Sequence, residues 1–149
     1  MNFDSYSTTI RDQFKDTSDT TKRAIALAAC KLAASRLIPD DLLVQAALRA
    51  LEAGRYIDAE LTKKLEEHAY DLDDQYFAAQ EAYRAGRTDE KTYEEMRAKA
   101  RAAESVFSAF DRDPTAAMSN AVYVACAALG VAPVKAEIDA VIAQAPPRH

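Results

Sequence analysis

The sequence has almost no glycine, little proline and no tryptophan: three, five and zero residues of 149, with two cysteines and two histidines. So few glycines leave no phosphate-cradling loop and no nucleophile elbow. Cys30 and Cys126 are too few for a disulfide framework. Both lie in alanine-rich helical patterns, so buried reduced thiols are expected. His149 ends the chain, which leaves His68 alone for histidine chemistry. Neither a histidine zinc site nor a His-paired nucleophile can be assembled around one residue. Glu66-Glu67-His68 also lacks the Glu-x-x-His spacing of di-iron bundles. His68 is expected instead as a partly buried residue hydrogen-bonded across a helical bundle. Positive charge is not in excess: 19 Lys and Arg against 24 Asp and Glu give a net charge of -5. That balance argues against binding nucleic acid or an anionic membrane. No stretch approaches the roughly 18–20 apolar residues of a membrane span. The first twenty residues hold no apolar segment of a secretory leader, so a cytoplasmic protein is expected. No enzyme activity, cofactor or metal is expected.

Alanine is what the sequence has in quantity, 32 residues of it. Alanine has the best intrinsic helix propensity, and small side chains let helix axes approach closely. With 49% hydrophobic and 29% charged residues the chain reads as globular. Its length fits one domain over 1–149, able to bury about 68–70% of its unfolded surface. Glycine and proline divide it into about six helices, and no window alternates as a strand does. Residues 22–37 place Ile25, Ala28, Ala29, Leu32 and Ala33 on one face. Pro39-Asp40-Asp41 breaks that helix and starts another over 41–53, with Leu43, Ala47, Ala50 and Leu51 inward. A long helix follows Asp58 and runs to Ala85. Its apolar seam is Leu61, Leu65, His68, Leu72, Tyr76, Ala79 and Tyr83, at three- and four-residue steps. A helix from Thr88 or Asp89 to Phe110 directs Tyr93, Met96, Ala100, Ala103, Phe107 and Phe110 to the core. The short link makes these two an antiparallel hairpin, whose aromatics are expected to anchor the core. Asp113-Pro114 caps a helix over 114–129, and Pro133 is expected to open the last, 133–144. Residues 1–18, with Phe3, Tyr6, Ile10 and Phe14, are expected as a short helix or a flexible arm. Residues 145–149 are expected as a flexible tail.

Each glycine falls where a helix ends, at the position that favours positive φ. Two ends are alike, Ala46-Ala47…Ala53-Gly54-Arg55 and Ala78-Ala79…Ala85-Gly86-Arg87. The match fades beyond the turn, so convergent capping is preferred to a true repeat. Asp71-x-Asp73-Asp74 and Asp111-x-Asp113 resemble fragments of calcium loops but lack the glycine and terminal glutamate of one. Lys91, Arg97, Lys99 and Arg101 form a basic side that Glu90, Glu94, Glu95 and Glu104 interrupt.

One charge anomaly stands out. From Leu65 to Tyr83 there are six carboxylates (Glu66, Glu67, Asp71, Asp73, Asp74 and Glu81) and no Lys or Arg, while the rest of the chain is nearly balanced. Glu60, Glu67, Asp74 and Glu81 share a heptad position, with Asp71 one turn away, forming an acidic stripe beside the apolar seam. Tyr70, Phe77 and Tyr56 lie off that seam. One reading neutralises the stripe within the bundle, with Lys99 and Arg101 against Asp74 and Asp71. The other presents it, with Tyr70 and Phe77, to a basic partner.

Residues 24–128 also resemble the small all-α bacterial immunity proteins that neutralise polymorphic toxins. The matching stretches are Leu27-Ala28-Ala29-Cys30, Pro39-Asp40-Asp41, the run from Ala46 to Gly54, His68-Ala69 and Ala125-Cys126-Ala127-Ala128. The segment Tyr70-Asp71-Leu72-Asp73-Asp74 departs from the small residues usual after the Ala-His pair, and no histidine follows in the late helix. No functional residue is carried over. The resemblance implies stoichiometric inhibition of a cognate protein toxin by occlusion. The acidic stripe fits a basic toxin such as a nuclease, with carboxylates in place of substrate phosphates. An adaptor that homodimerises through alanine-rich faces is the alternative.

Overall fold

In the computed structural model, which describes residues 2–144, seven helices follow one another: α1 (Phe3–Phe14), α2 (Asp19–Leu37), α3 (Leu42–Glu52), α4 (Ala59–Arg84), α5 (Glu90–Ser108), α6 (Pro114–Leu129) and α7 (Val131–Gln144). No strand occurs among the described residues, so the fold is all-α. The tail 145–149 lies outside them.

Local chemistry sets the helix starts. Asn2, Ser18, Asp41, Asp58, Asp89 and Asp113 each stand in extended backbone and accept a first-turn amide with the side chain. Two helix ends close by one device. At Gly54 (φ +74°) its amide donates to Leu51 and that of Arg55 to Ala50; at Gly86 (φ +73°) the acceptors are Tyr83 and, for Arg87, Ala82. This paired bonding satisfies carbonyls left open at a helix end. Gly130 differs, because it directly joins α6 to α7 with φ 87° and ψ 164°. Consequently α7 begins at Val131, two residues before Pro133. The proline sits in the first turn, where no intrahelical amide is needed.

α6 is the central helix, packed by α1, α2, α5 and α7. Ala117, Ala121 and Ala125 of α6, Ala26, Ala29 and Ala33 of α2, and Ala102 and Ala103 of α5 are all buried. Ser105, fully buried, donates its hydroxyl to Ala121 O at 2.8 Å and ties α5 to α6. The large core side chains are Ile25, Val44, Leu65, Val106, Met118 and Ile138, joined by Tyr6, Ile10 and Phe14 of α1. The N-terminal segment is therefore a core helix and not a flexible arm. Its serines and threonines do not break it, because Ser7 and Thr9 bond carbonyls one turn back, at Asp4 and Ser5. In α3 the buried face is Val44, Ala47, Leu48, Ala50 and Leu51; Leu43 is only half-buried.

The expected hairpin forms from α4 and α5, but its aromatics reach the core only at the base. There Phe110 is buried and Phe107 packs against the core, while Tyr76, Tyr83 and Tyr93 are not buried. No residue from Asp73 to Lys99 is buried. Within that stretch Tyr83 and Tyr93 stack with ring centroids 4.9 Å apart. The distal halves of α4 and α5 thus lie outside the core. Near the base of this arm, Arg97 donates to Ala127 O at 3.3 Å and Arg101 pairs with Asp73.

Candidate functional site

The candidate surface is the outer face of α4, which the root contacts orient. His68 Nε2 lies 2.5 Å from Asp41 Oδ2, and the other oxygen of Asp41 caps α3 at Val44 N, 3.0 Å away. One carboxylate therefore fixes both the start of α3 and its position against α4. Leu65, Ala69 and Leu72 turn into the core. The opposite side of α4 is then left to solvent.

Glu60, Glu67, Asp71, Asp74 and Glu81 are all exposed. Glu60 pairs with Lys64 at 3.1 Å. Glu67, Asp71, Asp74 and Glu81 have no ion-pair partner among the described residues. The expected neutralisation by Lys99 and Arg101 does not occur as drawn. Arg101 instead reaches Asp73 of α4 and Glu104 of its own helix, while Lys99 stays exposed. The 100° step of a helix explains this, because Asp73 faces α5 only if Asp74 and Asp71 point about 100° and 160° away. Burial raises the pKa of Glu104, with Arg101 opposing and Asp73 reinforcing the rise.

Two aromatics accompany the carboxylates. Tyr70 is 63% and Phe77 53% exposed, large values for side chains of that size. Phe77 has one ring neighbour, Tyr76, at 5.1 Å. Tyr56 behaves differently. It is half-buried under the Arg23 guanidinium, 4.1 Å from its ring centroid. Arg23 also donates to the carbonyls of Ala109, Asp111 and Arg112 at 3.1, 2.6 and 3.1 Å. It thereby satisfies the open C-terminal end of α5 and clamps the Gly54–Asp58 loop through Tyr56. Sequence reading missed this clamp, since nothing local to Arg23 announces contacts about ninety residues on.

A hollow of about 500 Å³ opens between that loop and the α5–α6 turn, with Ile57, Lys63, Glu66, Phe107 and Arg112 among its lining. Asp58 and Asp111 also face it, so its rim mixes both charges and selects neither sign of ligand. No group of three or more Asp, Glu, His or Cys among the described residues is placed to hold a metal ion. Asp113 and Asp111 are engaged in capping α6 and its turn. Cys30 and Cys126 are buried free thiols, each pushed up to about 12 by burial. Among the described residues no helix is long and apolar enough to cross a membrane.

Comparison of the chain with family models, with curated proteins and with solved structures gives no match.

Proposed function

We propose that this protein is a stoichiometric binding protein that occludes a basic protein partner through the outer face of α4, in the manner of bacterial immunity proteins acting on toxins. The observation that carries the reading is the exposure of Glu67, Asp71, Asp74 and Glu81, without ion-pair partners among the described residues, beside Tyr70 and Phe77. Complementary charge speeds encounter and rejects wrong partners, and exposed aromatics supply the desolvated anchors that dominate binding energy. A nuclease toxin suits such a face, because carboxylates on a rigid helix can stand where substrate phosphates would lie. Self-association through alanine-rich faces finds less support. The alanines of α2, α5 and α6 are already buried within the chain, leaving little of those faces for a second copy.

The decisive experiment compares wild type with E67K/D71K/D74K as immobilised bait in an extract of the native cells. Wild type is expected to retain one partner at one-to-one stoichiometry, identifiable by mass spectrometry as a basic protein. The triple variant is expected to lose it while keeping its helical circular dichroism. Undiminished retention by the variant sinks the reading.

A further inference from the structure

The outer face of α4 carries two adjacent rows with one repeat. Glu60, Glu67, Asp74 and Glu81 form the first, and Lys63, Tyr70, Phe77 and Arg84, three residues further along in each case, form the second. All eight are exposed. Members of a row lie seven residues apart, or about 10 Å, and a heptad row drifts only about 20° per repeat. The pattern is therefore a straight ribbon: carboxylates along one edge, and along the other two aromatics closed at each end by a cation. It continues onto the part of α4 where, from Asp73 onward, no residue is buried. Core packing thus does not account for the aromatic at Phe77.

We propose that this ribbon docks a single basic amphipathic helix of the partner, lying along α4. Its apolar side chains sit on Tyr70 and Phe77, and its Lys or Arg side chains meet Glu67, Asp74 and Glu81. The inference rests on the reading of α4 as the binding face and adds the shape of what binds there. Helix geometry alone supplies contacts at this interval on one side of a straight element. A β-strand advances about 3.3 Å per residue, so a 10 Å interval is three residues, and alternate contacts point away. A second copy of this chain is also a poor occupant. Antiparallel pairing centred between Tyr70 and Phe77 sets Glu66 level with Glu81 and Lys63 level with Arg84. Parallel pairing sets each row against itself. Like charges meet in both arrangements.

The test uses the full chain and two synthetic peptides of about 24 residues, long enough to span the ribbon. One carries leucine at one heptad position and lysine at the flanking ones; the other has the same composition with the heptads shuffled. Fluorescence anisotropy at about 0.15 M salt, where diffuse attraction is screened, gives both affinities. The heptad peptide is expected to bind at least about tenfold more tightly than the shuffled one. Y70A/F77A, which removes only exposed rings, is expected to erase that preference, and E67K/D74K to weaken both peptides. Equal affinities for the two peptides, a preference that survives Y70A/F77A, or no binding of either at about millimolar peptide overturns the proposal. Should the peptides fail while E67K/D71K/D74K still releases the native partner, the face is right and the helical occupant wrong. Retention of the partner by the triple variant removes the face as well.

Discussion

Single side chains decide which charges this molecule keeps and which it displays. Arg101 is partly buried between Asp73 and Glu104, so it holds two carboxylates near the core, and none of the stripe turned away from it. The thiols show the opposite treatment: Cys30 and Cys126 are at most 1% exposed and stay neutral far above the usual range, to about 12. The consequence for stability has a definite sign. In the unfolded chain a thiol loses its proton near pH 8.5, whereas in the fold it retains it. Between those values the native state binds more protons than the unfolded state, so stability falls as pH rises. Each thiol contributes a slope of about -1.4 kcal/mol per pH unit in that window, and none below it. C30A/C126A is expected to begin less stable, because two buried side chains are shortened. Its urea-unfolding free energy is expected to decline less steeply than that of wild type between pH 9 and 11. Parallel slopes would show that the thiols ionise alike in both states. The native thiols should likewise react with a disulfide reagent only as fast as the chain opens.

At the scale of elements, two identical caps serve helices of different importance. Gly54 and Gly86 have the same positive φ, and a Cβ added at either meets nothing within 4 Å. Alanine there costs only backbone strain, about 1–2 kcal/mol. Gly54 closes α3, whose Val44, Leu48 and Leu51 are core residues, while Gly86 turns the arm, where nothing is buried. G54A is therefore expected to lower global stability by about 1 kcal/mol in urea unfolding followed by circular dichroism, and G86A by well under half of that. Equal losses would mean that the arm unfolds together with the core. The same contrast marks what was legible in the sequence. Helix limits set by Asp41, Asp58, Asp89 and Asp113 and by the glycines stand within a few residues of the expected positions, because caps are local chemistry. The helical seam of α4 was also legible as a periodicity, but Tyr76 and Tyr83 on it are not buried. Periodicity reports which residues share a face, not whether another element covers that face. The sequence pattern likewise placed Tyr70, Phe77 and the acidic stripe off the seam, yet grouped Tyr56 with them. Only the fold brings Arg23 over the Tyr56 ring. In α1 the spacing of Tyr6, Ile10 and Phe14 was legible, but the high serine and threonine content left helix and flexible arm both open. In the fold that face is buried, and Ser7 and Thr9 bond carbonyls within the helix.

At the scale of the whole molecule, a packed alanine-rich core and a projecting arm do separate work. The core is held by α1, α2, α5, α6 and the inner sides of α3, α4 and α7, down to Leu72 on α4 and from Ala100 on α5. Beyond those two residues the arm gains stability from helix propensity, its caps and rings such as Tyr83 on Tyr93, and it buries no residue. Helices in that state open at low free energy without unfolding the rest. Excision supplies the test. Replacing Ala78–Met96 with a short glycine-containing loop keeps Asp73 with Arg101 and Arg97 with Ala127, the contacts that fix the base of the hairpin. The shortened protein is expected to unfold in one cooperative transition, within about 2 kcal/mol of wild type. Its urea m-value is expected to be slightly smaller, because less surface is exposed on unfolding. Loss of cooperativity, or a drop of several kcal/mol, would show that the core depends on the arm. If the core stands without it, roughly two turns of α4 and their mate on α5 are left with no stabilising duty. Of the proposed face this part carries only Glu81 and Arg84, so partner binding by the shortened protein is expected to weaken and not to vanish, because Glu67, Tyr70, Asp71, Asp74 and Phe77 are retained.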